Sequence, residues 1–459
     1  MQSPSSQAVS TSPQMPGGQT QIPDMLKIGA MPTNTQMDVE TSVLEPVQHS
    51  QTSCRFVLEN KGILHSHSKL IFSLKNPSAT ERCYFPVGIG VHSLLKSARL
   101  SSGGKTLIEI QDHNMLTAYE STFLSNEHNV EKEMFSTGRM VNHNFQYDIS
   151  ASGAKAQGVY LDNKMDYSEH EDEYVMPSVL EISNEANLQI ALSDIFPFLR
   201  RQQLPTFLMT EQLTLELTFE PSAGRQWQSG VEAIVFDIDT SETKLIADYI
   251  YYPADMMAGY AAANKELTIT YMNYRLSKTS IDAGTELKIR NVGGNGRICT
   301  KIVGGLQDDA QTGVINMLNK YSSIYPEGSG TSAGSVTLNI RYNNHLLYPL
   351  DVSNNAQHQH NTAQAQGMVP FVTRFEYCGE GGEVSMSDKT LAGANLRSNL
   401  GSKFGWTAHR LNRNERINSR GIEYHTQYAT NSGARTQRVW LELVRMATLS
   451  DGKFQVFDA

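Results

Sequence analysis

The stretch that most constrains this chain is residues 193–219, SDIFPFLRRQQLPTFLMTEQLTLELTF. Its last third alternates strictly: Leu213, Leu215, Leu217 and Phe219 are separated by Thr214, Glu216 and Thr218. A period of two puts the four apolar side chains on one face of a strand and the three polar ones on the other, so the strand has one buried and one wet face. Upstream, Ile195, Phe196, Phe198 and Leu199 cluster around Pro197, which forbids a long helix there. Pro205 holds Leu204 extended. Such a strand needs a second layer to cover its apolar face, so the fold is a layered β structure.

The rest of the chain repeats that grammar. Residues 54–58 and 69–74 read as strands, with Asn60 to Gly62 as a turn between them. Residues 98–112, ARLSSGGKTLIEIQD, read as a hairpin with positive φ supplied by Gly103 and Gly104. Asp112 is placed to cap a helix carrying Met115, Tyr119 and Phe123 on one face. Residues 242–252 form a further strand, ended by Pro253. Residues 260–264 are small and patternless, which suggests a junction. Beyond it come strands at 267–276, 287–292 and 298–303, the last two joined across Gly293, Gly294, Asn295 and Gly296 as a second hairpin. Asp308 and Asp309 precede a short helical pattern of Val314, Leu318 and Tyr321. The order strand, glycine pair, strand, aspartate, helix thus recurs after roughly one β domain's length, which points to two copies of one fold. Strands are also expected at 336–342, 372–377, 421–428 and 439–446. Polar loops fill 127–173, 353–367 and 379–402.

At 459 residues the chain exceeds one ordinary core. The expected division is a flexible arm over 1–37, poor in aliphatic residues, then domains at 38–260 and 261–459. Many short strands and few helices make the class all-β, as sandwiches or jelly rolls with short helices in the loops. A net charge of −9 argues against a nucleic-acid scaffold, which needs a Lys/Arg excess, so no sequence-specific nucleic-acid binding is expected. Cys54, Cys83, Cys299 and Cys378 lie far apart without CxxC spacing, which suggests reduced thiols in an intracellular compartment rather than a zinc site. The N-terminus has no signal-peptide pattern, and no run is long and apolar enough for a membrane span.

Few residues invite chemistry. His65 and His67, at i and i+2 on a strand, would share a face and could serve a cupin-like metal site, yet the required carboxylate and third histidine have no place in the sequence. His358 and His360 fall in a Gln/Asn-rich loop. His170 to Glu173, HEDE, lacks the spacing of an EF-hand. The glycine-rich residues 327–335 lack a P-loop lysine and precede a strand. Residues 411–420, LNRNERINSR, carry four arginines against one glutamate and read as a solvated or inter-subunit loop. No catalytic, cofactor-binding or metal residue is assigned, and none of these features implies an enzyme.

Four segments resemble the double jelly-roll major capsid proteins of polinton-like viruses, virophages and large DNA viruses. They are LSDIFPFLRRQQLP with EQLTLELTF, ENKGILHSHSKLIFSL at 59–74, the glycine hairpin before Asp112, and KLIADYIYY at 244–252. Pro253 to Met257 departs from the acidic-basic segment of large-virus members, which favours the polinton-like or virophage branch. The resemblance implies two consecutive eight-stranded jelly rolls, a homotrimer of pseudo-hexagonal outline, and capsomers tiling an icosahedral shell around double-stranded DNA. It also implies neighbouring capsomers, penton and minor capsid proteins as partners, and the virion, assembled inside an infected host cell, as the location. A two-domain cupin-like metalloenzyme and a carbohydrate-binding β-sandwich are the alternatives.

Overall fold

A computed structural model describes residues 37–75, 83–84, 90–124, 136–137, 145–148, 157–160, 179–180, 185–200, 204–220, 226–228, 233–235, 237–281, 287–308, 336–352, 360–362, 364–365, 407–411, 415–428 and 435–458. The expected arm at 1–37 lies almost wholly outside them. So do the helical pattern at 314–321, the strand at 372–377, and most of the loops at 127–173, 353–367 and 379–402. Within 127–173 a short hairpin pairs Phe145–Asp148 with Gln157–Tyr160.

Sixteen strands carry the architecture. The first eight are β1 (Asp38–Leu44), β2 (Ser53–Val57), β3 (Lys69–Lys75), β4 (Leu95–Ser102), β5 (Lys105–Gln111), β6 (Glu185–Ala191), β7 (Leu213–Phe219) and β8 (Asp237–Tyr251). The second eight are β9 (Glu266–Ile281), β10 (Leu287–Gly293), β11 (Cys299–Asp308), β12 (Val336–Tyr342), β13 (His345–Leu346), β14 (Thr407–Arg410), β15 (Ile422–Tyr428) and β16 (Arg435–Ser450). Strands β1–β8 form two antiparallel sheets, ordered β1-β8-β3-β6 and β2-β7-β4-β5. Strands β9–β16 form two more, ordered β9-β16-β11-β14 and β10-β15-β12-β13. Each order in the second half is the first with eight added to every strand number. The chain is therefore two copies of one jelly roll in sequence, all-β, with few short helices.

The alternation in residues 213–219 does what its pattern requires. Leu213, Leu215, Leu217 and Phe219 are buried, while Thr214 and Glu216 are half-buried and Thr218 is exposed on the other face. Strand β7 is central, paired with β2 on one side (Leu215 opposite Phe56) and β4 on the other (Leu215 opposite Leu100). Phe219 meets Phe72 of the facing sheet edge-on at 6.0 Å. Each such fully buried leucine contributes about 2 kcal/mol. Before β7, a single turn at Leu192–Ile195 and a 3-10 turn at Pro197–Arg200 bury Ile195, Phe196 and Leu199. Leu204 forms an isolated bridge to Leu64, as its place before proline predicts.

Three expectations change. The glycine run 293–296 is not a hairpin: β10 pairs β15, while β11 joins the opposite sheet beside β16 and β14. Gly293, Gly294 and Gly296 all have positive φ, at 95°, 84° and 71°, and bend the chain across the open end of the sandwich. A glycine pair fixes the sign of φ but not which strand the chain meets next. The true counterpart of the Gly103–Gly104 turn is Asn343–Asn344, which joins β12 to β13 with φ of 47° and 65°. Both turns need two left-handed residues in succession, and asparagine is the side-chain-bearing residue that tolerates this best. The repeat is real, but the residues first aligned to show it are not equivalent.

The expected junction at 260–264 is a helix. After α1 (His113–Leu124), the second helix is α2 (Ala254–Ala263), entered at Pro253 and closed by Asn264, whose amide donates to the Tyr260 carbonyl at 2.9 Å. Its alanines favour helix without supplying an apolar stripe, and none of its residues is buried. The expected border after residue 260 falls inside it.

Candidate functional site: the seam between the two rolls

Strand β5 is an edge strand, and edge strands leave backbone groups without ladder partners. Here the second roll supplies them from side chains. The Tyr271 hydroxyl donates to the Leu107 carbonyl at 2.6 Å, and Arg445 Nη1 donates to the same oxygen at 3.0 Å. Trp440 Nε1 donates to the Gln111 carbonyl at 3.0 Å, while the Glu109 N–H reaches Asn273 Oδ1 at 3.5 Å. Lys105 Nζ returns a bond to the Phe454 carbonyl at 3.0 Å. The donors Tyr271, Trp440 and Arg445 sit on β9 and β16, so the edge of one sandwich stands against the outer face of the other.

Apolar packing runs through the same seam. Tyr119 of α1 meets Trp440 edge-on at 5.5 Å, and Phe198 lies 5.1 Å from Tyr271. Ile269, Tyr271, Tyr274, Val303, Ala408, Trp440 and Phe454 of the second roll belong to the same buried cluster as the first roll's core. The second roll keeps a separate core around Ile302, Ile340, Tyr424 and Leu441. Strand β11 shows why: Ile302 turns into its own sandwich, and its neighbours Lys301 and Val303 turn into the seam.

At one end of the seam sits a buried charge cluster. Lys301 Nζ lies 2.8 Å from Glu120 Oε1 and 3.3 Å from Glu442 Oε2, with Lys301 12% exposed and both glutamates 15%. The Tyr274 hydroxyl donates to Glu442 at 3.0 Å, and Thr300 donates to the other Glu442 oxygen at 2.6 Å. Burial alone would lower the Lys301 ammonium, but the two carboxylates outweigh it and hold its pKa above the ordinary value. Burial, then the same carboxylates, push Tyr274 well up. Tyr271, pushed by burial to about 12, stays a neutral donor. Asp112, expected as a helix cap, directs its carboxylate to Arg438 Nε at 2.8 Å and to Lys278 Nζ at 3.5 Å, both in the second roll. Lys301, Glu120, Glu442 and Tyr274 do not stand out in the sequence, since they are paired only through the fold.

The residues singled out from sequence are not gathered. His65 and His67 occupy a turn before β3 rather than a strand, with rings edge-on at 4.4 Å. His65 Nδ1 accepts the His67 N–H at 3.0 Å, so that nitrogen is engaged by backbone. Among the described residues no three His, Cys, Asp or Glu side chains come together as a metal set. His360 is exposed, and residues 170–173, His358 and 327–335 lie outside the described residues. Of the basic stretch 411–420, Leu411 and Ile417 are buried. The Arg416 backbone carbonyl accepts from Asn343 Nδ2 at 3.1 Å, and Arg420 Nη1 donates to Asn344 Oδ1 at the same distance, which ties the loop to the β12–β13 turn.

Cys54 and Cys299 are free and buried, and burial pushes the Cys54 thiol up to about 12. One buried pair escaped the sequence reading altogether. His92 Nδ1 lies 3.3 Å from His113 Nε2 at the start of α1, and Thr117 Oγ1 stands equally close to that nitrogen. Burial, then His92, lowers the His113 pKa to about 3.

No protein-family model matches the sequence, and no curated protein does. Solved structures do. The capsid of the virus PBCV-1 superposes with a TM-score of 0.55 at 11% identity, over 93% of this chain and 97% of that one. The Sputnik virophage structure gives 0.55 at 10% identity, over 98% and 94%. The mavirus major capsid protein gives 0.51 at 10% identity, over 99% and 96%. The likeness spans nearly the whole chain, and the shared fold is the double jelly roll.

Proposed function

We propose that this protein is a viral major capsid protein that acts as a structural tile and not as an enzyme. Three copies close into a pseudo-hexagonal capsomer, and capsomers cover an icosahedral shell around double-stranded DNA. The observation that carries this reading is the seam: two topologically identical rolls are locked edge-on-face through one continuous buried cluster, which makes a rigid block with two similar halves. Rigid β cores and long connections suit a tile, and the near end-to-end match to capsid proteins of PBCV-1, Sputnik and mavirus supports it. In this reading residues 1–37 form an arm, 38–260 and 261–459 are the two domains, and neighbouring capsomers, penton and minor capsid proteins are the partners. The protein works in the virion after assembly in an infected cell. Pro253 to Met257, which opens α2, keeps the reading in the polinton-like or virophage branch. Light scattering on the size-fractionated protein, with negative-stain imaging, tests the proposal. Trimers of hexagonal outline are expected, and a monomer at every concentration would refute it.

A further inference from the structure

The two rolls differ in how they finish one sheet margin. In the first roll that margin is β2, and the residues just before it fold back to cover it. Gln48–Ser50 pairs antiparallel with β2, and the Val47 N–H donates to the Arg55 carbonyl at 2.8 Å. The matching margin of the second roll is β10. Residues 45–52 join β1 to β2, whereas only 282–286 join β9 to β10. So short a connection can cross from one sheet to the other but cannot add a strand as well. Among the described residues no strand pairs with the outer side of β10. Its side chains are also reversed. In β2 the inward residues Cys54 and Phe56 are buried, and Arg55 between them is exposed. In β10 Arg290 turns inward and donates to Gln437 Oε1 of the facing sheet at 2.9 Å, and Lys288 shares that side. Leu287 and Ile289 therefore face outward, 50% and 55% exposed. A strand that serves only its own sandwich puts its apolar set inward, and β10 begins the other way round.

We infer that β10 is a docking edge for an extended segment of a different protein, which joins the β10-β15-β12-β13 sheet as a further strand. The outward side chains of that segment are apolar and cover Leu287 and Ile289, while its inward ones are acidic and lie beside Lys288 and Arg290. Charge decides against a second copy of β10 as the occupant. An antiparallel pair of β10 strands about a two-fold axis at residue 288, 289 or 290 sets cation opposite cation, and like charges so placed repel. The strand Gln48–Ser50 shows that this fold accepts an added strand at the same margin. The contact needs one chain only and does not depend on the capsomer reading.

The test uses the full chain, as wild type and Ile289→Lys, with two synthetic heptapeptides as probes, one alternating valine with glutamate and one alternating valine with lysine. Circular dichroism melts report folding, and unchanged melts are expected because Ile289 is exposed. A variant that melts early is replaced by Leu287→Lys, read in the same way. Fluorescence anisotropy of the labelled valine–glutamate peptide is expected to show saturable binding, at least about 10-fold weaker with Ile289→Lys and at least about 10-fold weaker for the lysine peptide. Hydrogen exchange at the β10 amides is expected to slow when the valine–glutamate peptide binds. No saturable binding, equal binding of the two peptides, or binding that Ile289→Lys leaves unchanged overturns the inference. Sedimentation and exchange separate the other occupants. An oligomer of the peptide-free chain that Ile289→Lys dissociates assigns the edge to a second copy. Amides of β10 already protected in a peptide-free monomer assign it to the chain's own residues. Either result overturns the inference.

Discussion

Replacing Lys301 by methionine removes its ammonium from the Glu120–Glu442–Tyr274 cluster while nearly keeping the length and volume of the side chain. In the native seam the ammonium lies 2.8 and 3.3 Å from two carboxylates that are each 15% exposed. Taking one partner out of so buried an arrangement leaves its charges uncompensated and costs about 3–5 kcal/mol. The two glutamates then face each other across an apolar side chain. Neither carboxylate then keeps the ammonium that balanced it. Urea denaturation of wild type and variant at pH 7.5 measures the loss, with far-ultraviolet circular dichroism as the readout. The triple replacement Lys301→Met, Glu120→Leu, Glu442→Leu is expected to regain most of the loss, because a well-packed apolar cluster substitutes for a buried ion network. A single variant as stable as wild type, or a triple variant no more stable than the single one, would refute the account of this cluster.

Leu213→Asp places an unpaired carboxylate at a fully buried position in a central strand, which exceeds ~4 kcal/mol, unfolds the first roll and abolishes assembly; soluble, native-like trimers of that variant on a sizing column would count against the strand assignment. Gly305→Ala brings a Cβ to 2.7 Å from the Tyr119 ring, which also meets Trp440 edge-on, so a loss of about 1–3 kcal/mol in thermal or urea melts is expected, with none if the seam is loose. His113 is held neutral, with its pKa near 3 against 6.5 in the unfolded chain, so the unfolded state takes up a proton first and stability declines as pH falls from about 6.5 toward 3. His113→Asn is expected to flatten that slope between pH 6 and 4; an unchanged slope would mean the imidazole is not shielded as described.

How much of this was legible in the sequence depended on whether the signal was local. Residues 213–219 announced a half-buried strand because alternation is a property of consecutive side chains, and the structure puts that strand at the centre of its sheet. Gly103 and Gly104 announced a hairpin for the same reason. Gly293 and Gly294 sent the same local signal and led elsewhere, because the strand that receives β10 is β15, more than a hundred residues later. Asn343 and Asn344 carried the matching turn, in residues that enter the left-handed region less freely than glycine, and were passed over. Helix α2 was missed because its alanines form no stripe. The seam was not legible at all: Lys301, Glu120 and Glu442 are ordinary charged residues until the fold gathers them, and Trp440 looks like any core aromatic on a strand.

The way β5 is finished has a consequence for synthesis. Its carbonyl at Leu107 receives Arg445, 338 residues further along the chain. At a translation rate of roughly 5–20 residues per second, that partner arrives roughly 20–70 s after the strand itself. During that interval the first roll can fold, since its own two sheets are complete by Tyr251, but it carries a naked edge flanked by Leu107, Tyr119 and Phe198. Nascent chains on one message, spaced along it, present the same sticky margin to one another. Rapid closure of the second roll after its last long strand is therefore a matter of yield as well as shape, and slowing translation between residues 252 and 445 would favour mispaired chains over finished ones.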